Sequence, residues 1–288
     1  MAEPLLRVRG LTLALPDLAR RPPFGTAPSR TILDGIDLDV EAGECVGLVG
    51  ESGSGKTTLA RSVLRLHEPQ SGAIEFRGRD ITHLDDRALR PLRERMQMIF
   101  QDPLSALNPR RRVGEIVIQP LLGFGRLGAS PSAAARTARA HELLDQVSLP
   151  TALADRYPHE LSGGQRQRVG IARAIALQPD LIVADEIVSG LDVSTQARIL
   201  VLLRELRERL GLGMVFVTHD LSVVRVLCDR VAVMHEGSIV EQGATPDVFE
   251  HPRHAYTRTL LDAIPLPDID DTWLDAAPAG SHRPATPG

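Results

Sequence analysis

Residues 50–58 read GESGSGKTT. Gly50, Gly55, Lys56 and Thr57 occupy the fixed places of the pattern G-x-x-x-x-G-K-[ST], a loop suited to holding phosphate. Successive backbone N–H groups must converge on one anion, and glycines permit that path where other residues resist it. Ser52, Gly53 and Thr58 fill out the cradle. A helix starting at the loop adds the partial positive charge of its N-terminus. Lys56 brings a full charge for the β and γ phosphates, and the Thr57 hydroxyl is a hard oxygen ligand for Mg²⁺. Alone, this loop specifies a nucleoside triphosphate; it does not separate a GTPase, a kinase and an ATPase.

A second cluster follows at 181–186, LIVADE. An apolar strand ending in Asp185 puts a carboxylate at the edge of a sheet where open α/β folds bind ligands. Asp185 suits a metal held through water. Glu186, next in the chain, suits a base directed at a water that attacks phosphorus. The plainer reading, an acidic cap on a strand, carries less weight once a phosphate loop is present. Residues 161–165 read LSGGQ. A Ser before two glycines at a helix start is an anion-binding arrangement, and equally an ordinary N-cap by Ser162. The five residues alone leave both readings open.

These groups need elements to position them. Residues 45–49 form a short continuous apolar run, as a fully buried strand requires, and a helical pattern follows the glycine loop over 56–66. Alternation at 32–40 puts Ile36, Leu38 and Val40 on one face and Asp37 and Asp39 on the other. Strands are expected at 5–15, 72–76, 96–100, 181–184, 214–218 and 230–234, with Ile81 in a further strand after a turn at Gly78. Residues 111–178 read as mostly helical, with breaks at Pro120, 123–128, Pro150 and Pro158. An amphipathic helix is expected at 193–210 and a shorter one near 221–227. Strand alternating with helix predicts a parallel α/β sheet.

Composition narrows the partners. Lys plus Arg total 33 against 37 Asp plus Glu, and aromatics are 3%. Neither a basic face nor a base-stacking surface is indicated, so nucleic acid is not an expected partner. The run Arg110 to Arg112 reads as a solvated loop. Cys45 and Cys228 sit in apolar runs and read as small buried hydrophobes. No stretch of about 18 apolar residues occurs, so any membrane role must come through a partner.

GESGSGKTT, Gln101 in IFQDP, LSGGQRQR, LIVADE, SGLD and His219 in VFVTHD follow one another in the order seen in ABC-type ATP-binding subunits. On these motifs the chain resembles that family over nearly its whole length. LNPRRRVGEIV, SGLDVSTQ and HPRHAYTRTLLDAIPLPD make it similar to the oligopeptide, dipeptide and nickel importer subfamily. The LNPR run resembles that of the second, "F-type", ATPase subunit of those importers.

The resemblance implies a P-loop NTPase (RecA-like) fold of the α/β class. It has a mostly parallel sheet core, an antiparallel β subdomain and a helical subdomain. The ATP-binding domain would span 1–264, with the helical subdomain inserted at about 101–178. A Pro- and Ala-rich extension, expected to be disordered at its end, would occupy 265–288. The resemblance also implies that two such domains meet head to tail with ATP and Mg²⁺ between them. Thr57, Gln101 and Asp185 would serve the metal. Glu186 would polarise the attacking water, assisted by His219 and Gln101. Ser162, Gly163, Gly164 and Gln165 would touch the γ phosphate held by the partner's loop, and Asp192 would lie near that loop.

Implied partners are integral-membrane permease subunits, a second ABC ATPase subunit, and a periplasmic or lipid-anchored solute-binding protein reached through the permease. The implied location is peripheral, on the cytoplasmic face of the membrane. An ABC ATPase of DNA repair or translation is the alternative. The coiled coil, zinc insertion or second cassette usual in such proteins is not visible. Four features depart from the family pattern. Ile187 replaces the usual Pro, and Gly190 replaces a common Ala. The first strand offers no aromatic for adenine, leaving Leu15 or Phe24 to pack on the base. The HPY run appears as His254-Ala255-Tyr256.

Overall fold

The structure is a computed structural model, and it describes residues 3–16 and 28–263. Phe24 and the 265–288 extension lie outside the described residues.

Two sheets organise the chain. The strands β1 (Leu6–Pro16), β2 (Ser29–Val40), β4 (Ser71–Phe76) and β5 (Arg79–Asp80) form an antiparallel sheet in the order β2-β1-β4-β5. A six-stranded sheet has the order β10-β9-β3-β8-β7-β6. Its members are β3 (Cys45–Val49), β6 (Met96–Ile99), β7 (Leu181–Asp185), β8 (Gly213–Val217), β9 (Arg230–His235) and β10 (Ser238–Ala244). All of its pairings are parallel except β9 with β10. The three central strands β3, β7 and β8 are buried throughout, which explains their unbroken apolar sequences.

The larger sheet is covered on both faces. On one side, Leu48, Val183 and Val217 pack with Leu59 and Val63 of α1 (Lys56–Val63) and with the apolar face of the antiparallel sheet. On the other, Ala184, Phe216 and Val233 pack with α6 (Gly163–Ile175), α7 (Val193–Leu210) and α8 (Leu221–Leu227). Between β6 and β7 the chain leaves the sheet through α3 (Pro103–Ala106), α4 (Val113–Gly123) and α5 (Ala133–Asp145), and returns along α6.

Three expectations need adjustment. The first helix ends at Val63, not 66, where Arg65 turns to φ 54. Ile81 lies just beyond β5, although its N–H still bonds the Ile74 carbonyl. Pro120 does not break the chain: α4 runs through it. A mid-helix proline costs ~3 kcal/mol, but Ile116, Val117, Ile118 and Leu121 are all buried around it. Burying four such side chains contributes about 1.5–3 kcal/mol each, enough to hold the helix across the gap. A helix outside those expectations, α2 (Asp86–Arg95), precedes β6. Asp85 caps it through the Ala88 N–H, and its apolar stripe is short: Leu89 is buried and Leu92 is partly buried against the core, with Pro91 between them.

The last described elements are α9 (Thr245–Glu250) and α10 (Ala255–Asp262), which follow β10. Cys45 and Cys228 are buried, with sulfurs 3.5 Å apart and unbridged. Arg110 to Arg112 are exposed, and Arg112 pairs with Asp155 at 3.0 Å.

Candidate active site

The phosphate loop leaves β3 and enters α1. Gly50 sits at φ 145, and a Cβ there would lie 2.1 Å from the Met234 carbonyl, so only glycine fits beneath β9. The Lys56 ammonium folds back into the loop and donates to the carbonyls of Gly50 and Glu51, both at 2.7 Å. Burial holds its pKa below the ordinary lysine value, against the opposing pull of Glu186, Asp185 and Glu51.

β7 delivers the second cluster. It pairs with β8 beside β3, so its C-terminal end emerges next to the loop. Thr57 Oγ1 donates to Asp185 Oδ1 at 3.0 Å, joining residues that are 128 positions apart. Asp185 is buried, and burial pushes its carboxyl above the usual carboxylate range; the Thr57 hydroxyl and Arg61 pull the other way. A hydroxyl and a carboxylate in contact are a hard-oxygen pair fitted to a small divalent cation. A cation there would relieve the cost of keeping Asp185 ionised.

Glu186 follows at φ 47, a left-handed conformation unusual for a non-glycine residue. Its N–H bonds the Val217 carbonyl at 2.9 Å, which locks the turn onto the end of β8. The carboxylate thereby meets two further predicted residues. Gln101, just after β6, donates its amide nitrogen to Glu186 Oε2 at 2.8 Å. His219, just after β8, brings Nδ1 to 3.7 Å from Glu186 Oε1. Three adjacent parallel strands therefore converge their C-terminal ends on one carboxylate.

The loop, Gln101 and Glu186 border a single cleft of about 680 Å³. Its far wall is one that sequence patterns did not indicate: Arg30, Thr31 and Ile32 of β2, His235 at the end of β9, and Glu236 and Gly237 in the turn to β10. These residues carry no motif. Their positions follow from backbone bonds, Gly237 N–H to Ser54 and Asp34 N–H to Gly237, that tie the turn to the loop and to β2. Leu15 is not among the lining residues; it packs against the core under the antiparallel sheet.

Ser162, Gly163, Gly164, Gln165 and Asp192 do not border this cleft. Ser162 caps α6 in a reciprocal capping box. Its hydroxyl accepts from Gln165 N–H at 3.3 Å, and Gln165 Oε1 accepts from Ser162 N–H at 2.9 Å. A Cβ on Gly164 would lie 2.5 Å from Thr195 Cγ2, so α6 needs a glycine there to sit against α7. Asp192 caps α7 through Thr195 N–H at 2.9 Å and also accepts from the Ser194 hydroxyl. The motif residues thus fall into two sets, one around the cleft and one at the starts of α6 and α7.

Known proteins of similar sequence and fold identify the family. Residues 33–189 match the family model described as ABC transporter, and residues 240–286 match the oligopeptide/dipeptide transporter C-terminal region. A putative peptide import ATP-binding protein of Brucella ovis is 52% identical over 269 residues, covering 93% of this chain and 80% of that protein. The oligopeptide transport ATP-binding protein OppF of Lactococcus lactis subsp. lactis is 46% identical over 237 residues, covering 82% and 73%. The dimeric post-hydrolysis state of the ATP-binding cassette MJ0796 bound to ADP and Pi superposes with a TM-score of 0.73 at 31% identity, covering 83% of this chain and 98% of that one. The family match and the likeness to these relatives over most of the sequence make this chain a member of the ABC transporter family, among its ATP-hydrolysing subunits.

Proposed function

We propose that this ATPase drives a peptide importer, working on the cytoplasmic face of a membrane through permease subunits that bind it. Among the described residues no helix is long and apolar enough to cross a membrane. The named relatives support the peptide assignment, as does the match to the oligopeptide/dipeptide C-terminal region.

The observation that carries the catalytic reading is the contact of Thr57 with Asp185, which joins the phosphate loop to the strand-end acids. Thr57 and Asp185 would hold Mg²⁺, with Gln101 reaching it from the start of the helical segment. The ion would supply charge neutralisation of the β and γ phosphate oxygens. Lys56, with one ammonium donor beyond the two on its loop carbonyls, would reach the phosphates. Glu186 would accept a proton from the attacking water. The amide of Gln101 and the imidazole of His219 flank that carboxylate and would orient it. Gly163 and Gly164, in the first turn of α6, carry N–H groups without intrahelical partners. In a head-to-tail dimer those donors would close over the γ phosphate held by a partner subunit and exclude water.

Glu186→Gln tests this reading. The variant should bind ATP, stop turning over, and accumulate as an ATP-bound dimer of doubled mass on gel filtration. Phosphate release at the wild-type rate would remove Glu186 from the role of base. Co-purification with peptide permease subunits tests the partner assignment.

A further inference from the structure

The peptide between Gly50 and Glu51 is held at both ends. Its carbonyl, on Gly50, accepts from the Lys56 ammonium at 2.7 Å. Its N–H, on Glu51, donates to the Tyr256 hydroxyl oxygen at 3.0 Å, across 205 positions of sequence. Tyr256 lies in the first turn of α10, outside the core that forms the loop. Its ring stacks on His235, with centroids 3.9 Å apart and planes inclined at 28°, and His235 borders the nucleotide cleft.

Tyr256 is itself anchored. The two Glu241 oxygens, on β10, accept from Arg253 N–H at 2.7 Å and His254 N–H at 3.0 Å, immediately before α10. The His254 ring caps the helix by accepting from Tyr256 N–H at 3.2 Å. Burial pushes the phenol pKa up, so the hydroxyl stays neutral at physiological pH.

The Lys56 ammonium has three donors, and the loop carbonyls take two of them, so one is left for a triphosphate. A phosphate that draws the ammonium toward itself would loosen its hold on the Gly50 carbonyl. The Tyr256 hydroxyl holds the other end of the same peptide plane, and with it the path of the residues that follow. We propose that Tyr256 is a positioning residue for ATP: it holds the 50–51 peptide of the phosphate loop in its binding orientation as Lys56 engages phosphate. The C-terminal segment thereby sets the affinity of a site it does not enter. This rests on Gly50–Thr58 being the phosphate cradle.

Tyr256→Phe keeps the ring on His235 and deletes only the hydroxyl. Calorimetry of Mg-ATP binding to the full chain should show affinity about three- to tenfold weaker, the scale of one lost hydrogen bond. KM for ATP should rise by the same factor, with a smaller change in kcat. Glu51→Pro removes the donor, so in that background Tyr256→Phe should add nothing; a further loss in the double variant overturns the proposal. Lys56→Ala is measured alongside. If Lys56→Ala loses binding and Tyr256→Phe keeps it within twofold, the positioning role is wrong and the cradle stands. If Lys56→Ala binds as wild type, the cradle itself is wrong.

Discussion

Asp185 and Asp192 stand a short way apart in sequence and in opposite electrostatic conditions. Asp185, at the end of β7, is buried against Thr57, and its carboxyl is pushed above its ordinary pKa. Asp192, at the start of α7, accepts from Ser194 and from Thr195 N–H, and its pKa is lowered to about 2. Burial disfavours the first as an anion, and the Thr57 hydroxyl and the charges of Arg61 and Lys56 offset this only in part. The second is content with its cap. The same contrast separates the two halves of the candidate machinery. The cleft half holds a buried carboxyl whose ionised form a bound cation would favour. The half built on α6 and α7 is locally satisfied through Ser162, Gln165 and Asp192, and offers its helix starts outward.

The largest expected effect breaks the cleft half alone. Glu186→Gln keeps size and the contact to Gln101 but cannot take a proton, so kcat should fall by about 10²–10⁴-fold in a phosphate-release assay. Lys56→Ala comes next. Loss of a buried ammonium from a polyanion site should weaken ATP binding by on the order of 10–100-fold, the scale of a charge-assisted hydrogen bond, read by calorimetry.

The other half should behave differently when damaged. Gly164→Ala forces a Cβ against Thr195 and shifts the start of α6. ATP affinity of the isolated subunit should stay within about twofold, because a single cleft carries that binding, while turnover falls by about tenfold or more. Mixing sharpens the comparison. If the chain works as a head-to-tail homodimer, Lys56→Ala and Gly164→Ala subunits combined should recover activity that neither shows alone, about a quarter of wild type. Half of the dimers are mixed, and each mixed dimer has one intact site of two. No recovery would place both halves in the same subunit or require a different partner chain.

The pH dependence should also split the two acids. Asp185 binds its proton more tightly folded than unfolded, so its ionisation costs stability as pH rises through the raised value, and that cost is absent below the ordinary value. Mg²⁺ competes with this proton. Affinity for Mg-ATP should therefore drop as pH falls into the raised range, by at most about tenfold per unit for one proton, and Asp185→Asn should flatten the curve. Asp192 has the opposite sign: its cap is fully present above the ordinary aspartate value of 3.8 and is lost as pH falls toward 2. Nucleotide affinity near neutrality should not register it.

The sequence made the cleft half readable because its chemistry is compact. GESGSGKTT and LIVADE are contiguous, each on a buried apolar strand whose run of residues has few alternatives. The order of strands and helices was also enough for the sheet class. It was not enough for α2, whose short apolar stripe of Leu89 and Leu92 has Pro91 inside it, or for the wall of the cleft formed by Arg30 to Ile32 and His235 to Gly237. Those residues matter through where β2 begins and β9 ends, which is set by pairing between distant parts of the chain. Tyr256 was visible only as part of the HAY run; its bond to Glu51 depends on α10 folding back over β9. The sequence around Ser162 fits a helix cap and an anion site alike, and the geometry shows the cap.

The smallest effect tests whether the helical segment between β6 and β7 can be altered without touching the cleft. Pro120 interrupts α4 where the helix would otherwise donate to the Ile116 carbonyl. Alanine restores that donor and removes the ring clash, while the unfolded chain gains conformational freedom worth about 0.4–1 kcal/mol against the change. The net gain should be about 1 kcal/mol in chemical denaturation, since the helix already tolerates the proline through its buried face. ATP affinity should not move, because no residue of α4 borders the cleft. A shift in affinity together with the gain in stability would mean that α4 and the phosphate loop form one cooperative unit. The contrast between the cleft half and the satisfied half would then fail at its seam, where Gln101 leaves β6 for the helices.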